Sequence, residues 1–95
     1  LLTRPLRFEG NRLRLNMDAS AGGRIKVALL TASGKPIPGF TNEEADWLYY
    51  SDAGKIVTWR GSPDLSSLPS HTVRLCFTGR SARLYAFGFD NNIDA

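Results

Sequence analysis

The sequence predicts an all-β domain, a two-layer antiparallel β-sandwich with a jelly-roll or Greek-key-like path. Three observations carry this expectation. Apolar residues recur with period two along several stretches, the mark of half-buried strands. Gly and Pro concentrate between those stretches. No long stretch keeps the 3.6-residue period of a helix. A closed barrel is the main alternative, and long connections such as Thr31 to Lys55 favour a jelly-roll path over simple hairpins.

Taken in order, Thr3 to Phe8 is expected to be extended. In Asn11 to Asp18, Leu13, Leu15 and Met17 alternate with polar neighbours and predict a strand. Ala19-Ser20-Ala21-Gly22-Gly23 reads as a tight connection, and Arg24 to Leu30 as the next strand, with Ile25, Val27 and Leu29 inward. Ser33 to Gly39 holds two Pro and two Gly, which excludes both helix and central strand. Thr41 followed by Glu44 has capping-box spacing and predicts one helical turn over Asn42 to Asp46. Lys55 to Arg60 is a third strand, with Val57 and Trp59 on one face. Ser62-Pro63-Asp64-Leu65 carries a cap residue before Pro, with Leu65 and Leu68 turned inward. Thr72 to Thr78 and Arg80 to Phe89 complete a strand pair, joined near Gly79.

The 95 residues make one domain, 1–95. Hydrophobic residues are 42% and charged ones 22%, which excludes a disordered or fibrous chain. No apolar run reaches the roughly 20 residues of a membrane helix, so no membrane partner is expected. The chain opens Leu1-Leu2-Thr3 without Met, and it reads as a piece of a larger protein. Its net charge is +3, and its Arg residues lie scattered along the sequence. No dense basic run with interleaved aromatics appears, so nucleic acid is not an expected partner. An anionic polysaccharide is a minor possibility, because Arg suits carboxylate and sulfate geometry.

Reaction chemistry finds few candidates. Cys76 is the one cysteine, sits in a strand-like stretch, and is read as a packing residue. His71 neighbours Ser70, but adjacent residues on an extended chain point apart. One His and one Cys cannot close a zinc site. Glu43, Glu44, Asp46 and Asp52 could offer calcium its oxygen ligands, yet capping and solubility account for Glu43 and Glu44 equally well. The expectation is no catalytic residue, no metal and no cofactor.

The aromatics Trp47, Tyr49 and Tyr50 crowd one loop beside Asp46 and Asp52. Sugar rings pack their C–H faces on aromatic planes, and their hydroxyls need polar partners. These five residues are therefore the candidate carbohydrate-binding set. Closure of one end of the sandwich by Trp47 and Tyr49 is the competing explanation, and Trp59, in phase with Val57, belongs to the core. A second candidate surface comes from the outward phase of the strands. If Tyr85, Phe87 and Phe89 face inward, then Ala28, Leu30, Cys76, Leu84 and Ala86 face out. Small or apolar outer positions predict a covered surface, here a contact with another domain.

Longer segments carry a resemblance. Phe8-Glu9-Gly10-Asn11 with Leu13, Leu15 and Asn16 is followed by Ser20 to Gly23, Ile25 and Val27. Gly34-Lys35-Pro36-Ile37-Pro38-Gly39-Phe40 and Trp59-Arg60-Gly61 with Asp64-Leu65-Ser66 are the most specific parts, and Leu84, Tyr85, Phe87 and Phe89 close the pattern. Over roughly Leu2 to Phe89 the chain resembles a bacterial β-sandwich module attached C-terminally to secreted proteins. The neighbours of such modules are often five-bladed propeller domains similar to invertase-type glycoside hydrolases. Ser33 stands where the pattern commonly has Asp, Ala45 where it often has Cys, and the loop aromatics lie outside it.

The resemblance implies a non-catalytic accessory domain of a secreted carbohydrate-active enzyme, extracellular or periplasmic. Its partner would be the catalytic domain of the same polypeptide, which would hold the catalytic carboxylates. The alternative is an autonomous carbohydrate-binding module that uses the loop aromatics on polysaccharide. A self-associating structural domain is a third class.

Overall fold

The computed structural model describes residues 1–91. These residues form an all-β, antiparallel structure without helix. Its strands are β1 (Leu6–Arg7), β2 (Arg12–Thr31), β3 (Leu48–Tyr49), β4 (Asp52–Ile56) and β5 (Thr72–Asp90). They make one five-stranded sheet in the order β1-β5-β2-β3, and β4 joins the same edge of β2 further along.

Two long strands dominate, where the sequence predicts four shorter ones. Arg12–Ala19 of β2 pairs with Ala82–Asp90 of β5, and Arg24–Thr31 pairs with Val73–Arg80. The predicted connection at Ala19 to Gly23 therefore does not return the chain on itself. It lies inside β2, where residues 20–23 stand against Ser81 alone. The predicted join near Gly79 is likewise a bend within β5, and its two halves do not pair with each other. Gly22 (φ 79°) and Ser81 (φ 51°) both adopt the left-handed conformation at this point. Extra residues on one strand of a pair bend it and increase its twist. Both long strands bend together here, and the sheet curls into one core.

That core follows the period-two pattern. Leu13, Leu15 and Met17 from one half of β2 join Ile25, Val27 and Leu29 from the other, with Val73, Leu75 and Phe77 of β5. Val57, Trp59, Leu65, Ile37 and Phe40 close it from the connecting segments. The indole N–H of Trp59 donates to the Val27 carbonyl at 2.7 Å, which satisfies its one polar group in the interior. Phe40 meets the Trp59 ring edge-on, with centroids 5.1 Å apart.

The predicted turn signals hold locally without making a helix. Glu44 Oε1 accepts from the Thr41 hydroxyl at 2.8 Å and from the Gly39 N–H at 2.9 Å. Glu44 N–H donates back to Thr41 Oγ1 at 3.3 Å, so the capping box forms around a single turn. Gly10 (φ 118°) is required by a close approach: a Cβ there would lie 2.5 Å from the Asp90 carbonyl oxygen.

A bulge in β5 corrects the predicted facing of its last stretch. Asn16 pairs with Ala86 and Met17 with Leu84, so Tyr85 has no partner and the alternation slips by one. Phe89, opposite Leu13, packs against the core as expected, but Phe87, opposite Leu15 and also expected inside, is 38% exposed. Tyr85, expected inside, is 60% exposed. Leu84, expected outside, packs against the core instead.

Candidate functional site

The predicted aromatic group lies on the outer surface of the sheet, along β3 and the residues before it. Alternation places Leu48 in the core opposite Ile25 and Tyr49 outside opposite Arg24. Trp47, half-buried, lies beside the outward side chains of β2. The Arg24 guanidinium stands over its ring at 4.2 Å from the centroid, and Lys26 Nζ at 4.7 Å. These are cation–π distances, and they hold two cations in place on an apolar support. Tyr49 is 45% and Tyr50 78% exposed, with ring centroids 6.4 Å apart. Tyr50 has a left-handed backbone (φ 69°), which is uncommon for a bulky residue.

Strand pairing brings a third cation to this surface. Arg80 of β5 is directly opposite Arg24, so Arg80, Arg24 and Tyr49 form one row across β5, β2 and β3. Thr78 and Lys26 form the next row, beside Trp47. The scatter of Arg along the sequence thus resolves into a basic and aromatic face that the linear order hides. Like charges directly opposite on neighbouring strands repel. No described carboxylate forms an ion pair with Arg24, Lys26 or Arg80, and the buried Nε of Arg24 has no hydrogen-bond acceptor. Lys26 Nζ donates to the Asn42 carbonyl at 2.8 Å. The opposite end of β2 differs: Asp90 accepts from Arg12 Nε at 2.6 Å and from Arg14 Nε at 2.7 Å.

The two carboxylates predicted beside the aromatics are engaged internally. Asp46 Oδ2 accepts from the Thr58 hydroxyl at 2.6 Å and from the Gly61 N–H at 2.7 Å. Those bonds, the Thr58 hydroxyl foremost, hold its carboxyl below the usual range. Asp52 Oδ1 accepts from the Gly54 N–H at 2.9 Å at the start of β4. The carboxylate reaching the tyrosine loop is Asp18, which accepts a hydrogen bond from the Ser51 hydroxyl. Trp47, Tyr49 and Tyr50 are together, but their polar company is chiefly cationic.

The predicted covered surface divides. Ala28 and Cys76 are cross-strand partners, and Leu30 lies opposite Arg74. Ala28 is buried, Leu30 and Cys76 are half-buried, and Leu2 bridges to Cys76 from the N-terminal segment. Ala86 is exposed on the far half of β5, and Leu84 has turned to the core. The five therefore do not form one patch. Another feature stands beside Ala86. Among the described residues, no strand pairs with the outer edge of β5 from Ala82 to Phe89, and that stretch exposes Tyr85 (60%) and Phe87 (38%).

His71 is exposed, with its ring 5.7 Å from Phe8, and it lines a shallow hollow with Leu65, Leu68 and Ser70. No Asp or Glu lines that hollow. The Ser70 hydroxyl is taken by the Thr72 N–H at 3.1 Å. Among the described residues, no group of three or more His, Cys, Asp or Glu is placed to hold a metal ion.

Compared with protein families, curated proteins and solved structures, the chain matches none of them.

Proposed function

We propose that this chain is a non-catalytic accessory domain of a secreted carbohydrate-active enzyme, docked on the catalytic domain of the same polypeptide. The observation that carries the reading is the open edge of β5. A strand edge with unpaired N–H and C=O groups and exposed aromatic residues invites pairing with any chain that meets it, and folded proteins generally cover or blunt such edges. Here the edge runs beside Tyr85, Ala86 and Phe87 without a described strand against it. A neighbouring domain that covered it would bury apolar rings and complete the hydrogen bonding. Interdomain contacts of this kind bury roughly 600–1,500 Å². On this reading the two halves of the curled sheet act as the layers of a sandwich, and the domain is a rigid spacer that shapes access to its neighbour. The sequence resemblance supports the same context.

Hydrogen exchange tests it. Amides of residues 82–89 are compared in the isolated chain and in the protein expressed with its flanking coding sequence. Slower exchange confined to this stretch in the longer protein supports the docking. Equal exchange in both, or a flanking sequence without a large domain, overturns it. Protection that appears in the isolated chain as its concentration rises would instead assign the edge to self-association.

A binding role is the second reading, favoured by the exposure of Tyr49 and Tyr50 on the face away from the core. It does not compete for the same surface.

A further inference from the structure

The basic and aromatic face brings Arg24, Lys26 and Arg80 together beside Trp47, Tyr49 and Tyr50. Arg12 and Arg14 share Asp90, and Arg60 lies 3.9 Å from Glu44. Arg24 and Arg80, by contrast, face each other across neighbouring strands with no described carboxylate in ion-pair range, and Lys26 lies two residues beyond Arg24. Neighbouring strands are about 4.8 Å apart, so the Arg24 and Arg80 backbone positions lie side by side on one face. Trp47 supports Arg24 and Lys26 from beside the strand, which restricts their freedom before any ligand arrives. Two exposed tyrosines border the row, Tyr49 within it and Tyr50 next to it.

We infer that this face binds an acidic polysaccharide, a chain whose sugars carry carboxylate or sulfate groups. The guanidinium fork of Arg matches both anions, and an anion seated between Arg24 and Arg80 removes their mutual repulsion. Tyr49 and Tyr50 supply planes on which sugar rings stack. Of the carboxylates expected to serve a sugar's hydroxyls, Asp46 is held by Thr58 and Gly61, and Asp52 Oδ1 accepts from the Gly54 N–H. Charge, not hydroxyl recognition, is what this surface offers. A single-stranded nucleic acid also combines anions with flat rings, but the aromatics here sit at one end of a short row and do not alternate with cations along a groove.

The test is affinity electrophoresis of the chain in gels containing polygalacturonate, with its fully methyl-esterified form as the uncharged counterpart. Polygalacturonate should retard the protein, less so as salt rises, and the ester should not. Arg80→Gln, at an exposed position, should weaken retardation about tenfold, the value of one charge-assisted hydrogen bond. Arg4→Gln removes the same charge elsewhere and should change it less than twofold. Tyr50→Ala should weaken it severalfold. Equal retardation by the ester overturns the acidic preference while leaving a glycan contact in place. No retardation by either polymer overturns the inference outright. Equal binding of a thymidine oligonucleotide with the same loss in Arg80→Gln shows a general polyanion surface and also overturns it. None of these outcomes bears on the docking of the β5 edge.

Discussion

The Trp59 indole N–H and the Val27 carbonyl, 32 residues apart, form a 2.7 Å hydrogen bond inside the core. It ties the segment after β4 to the centre of β2. Trp59→Phe keeps most of the ring but removes the donor and leaves a buried acceptor incompletely satisfied. Urea unfolding should show a loss of about 1–3 kcal/mol. An unchanged midpoint would mean that the Val27 carbonyl finds another partner.

Leu84 and Ala86 are two residues apart, and in a regular strand they would share a face. The unpaired Tyr85 between them puts Leu84 against the core and Ala86 in solvent. Leu84→Asn should therefore cost more than about 1 kcal/mol, from burial of a poorly paired amide. Ala86→Asn should stay within about 0.5 kcal/mol. Equal losses would remove the bulge.

Gly10 admits no side chain, because a Cβ would sit 2.5 Å from the Asp90 carbonyl oxygen at a backbone φ of 118°. Gly10→Ala should destabilise by more than about 1 kcal/mol in thermal or urea unfolding. Gly61, also at positive φ but facing open space, should lose less on the same change.

Acid should weaken the fold by a defined route. The Thr58 hydroxyl and the Gly61 N–H depress the carboxyl of Asp46, and Arg12, followed by Arg14, depresses that of Asp90. A carboxylate with a lowered folded-state pKa binds fewer protons folded than unfolded. Its contribution is complete above the ordinary carboxylate range and is lost as the pH falls below about 4 and through the depressed value. Thr58→Val should move the Asp46 titration upward, measured by carboxyl carbon NMR, and flatten the acid limb of the stability curve. A titration that does not move would show that Gly61 alone sets it.

Much of this protein was legible along the chain. Leu13, Leu15 and Met17, like Ile25, Val27 and Leu29, are buried as their alternation requires, because a half-buried strand has only two sides. Thr41 and Glu44 form the reciprocal bonds that their spacing predicts. The loop aromatics were visible as a cluster before any fold was considered. Illegible was the set of cations beside them, since Arg24 and Arg80 are distant in sequence and meet through the β2–β5 register. The outward phase shared by Arg24 and Lys26 was the available signal, but it named no neighbour.

The amino-acid sequence by itself determined a β domain, the inward face of most strands and the places where the chain turns, because alternation, Gly, Pro and capping side chains act over a few residues. Tertiary structure alone decided that two long strands bend together, that Tyr85 is expelled while Leu84 is buried, and that Arg80, Arg24 and Tyr49 share a row. Those outcomes depend on register between distant segments, where a slip of one residue exchanges inside for outside.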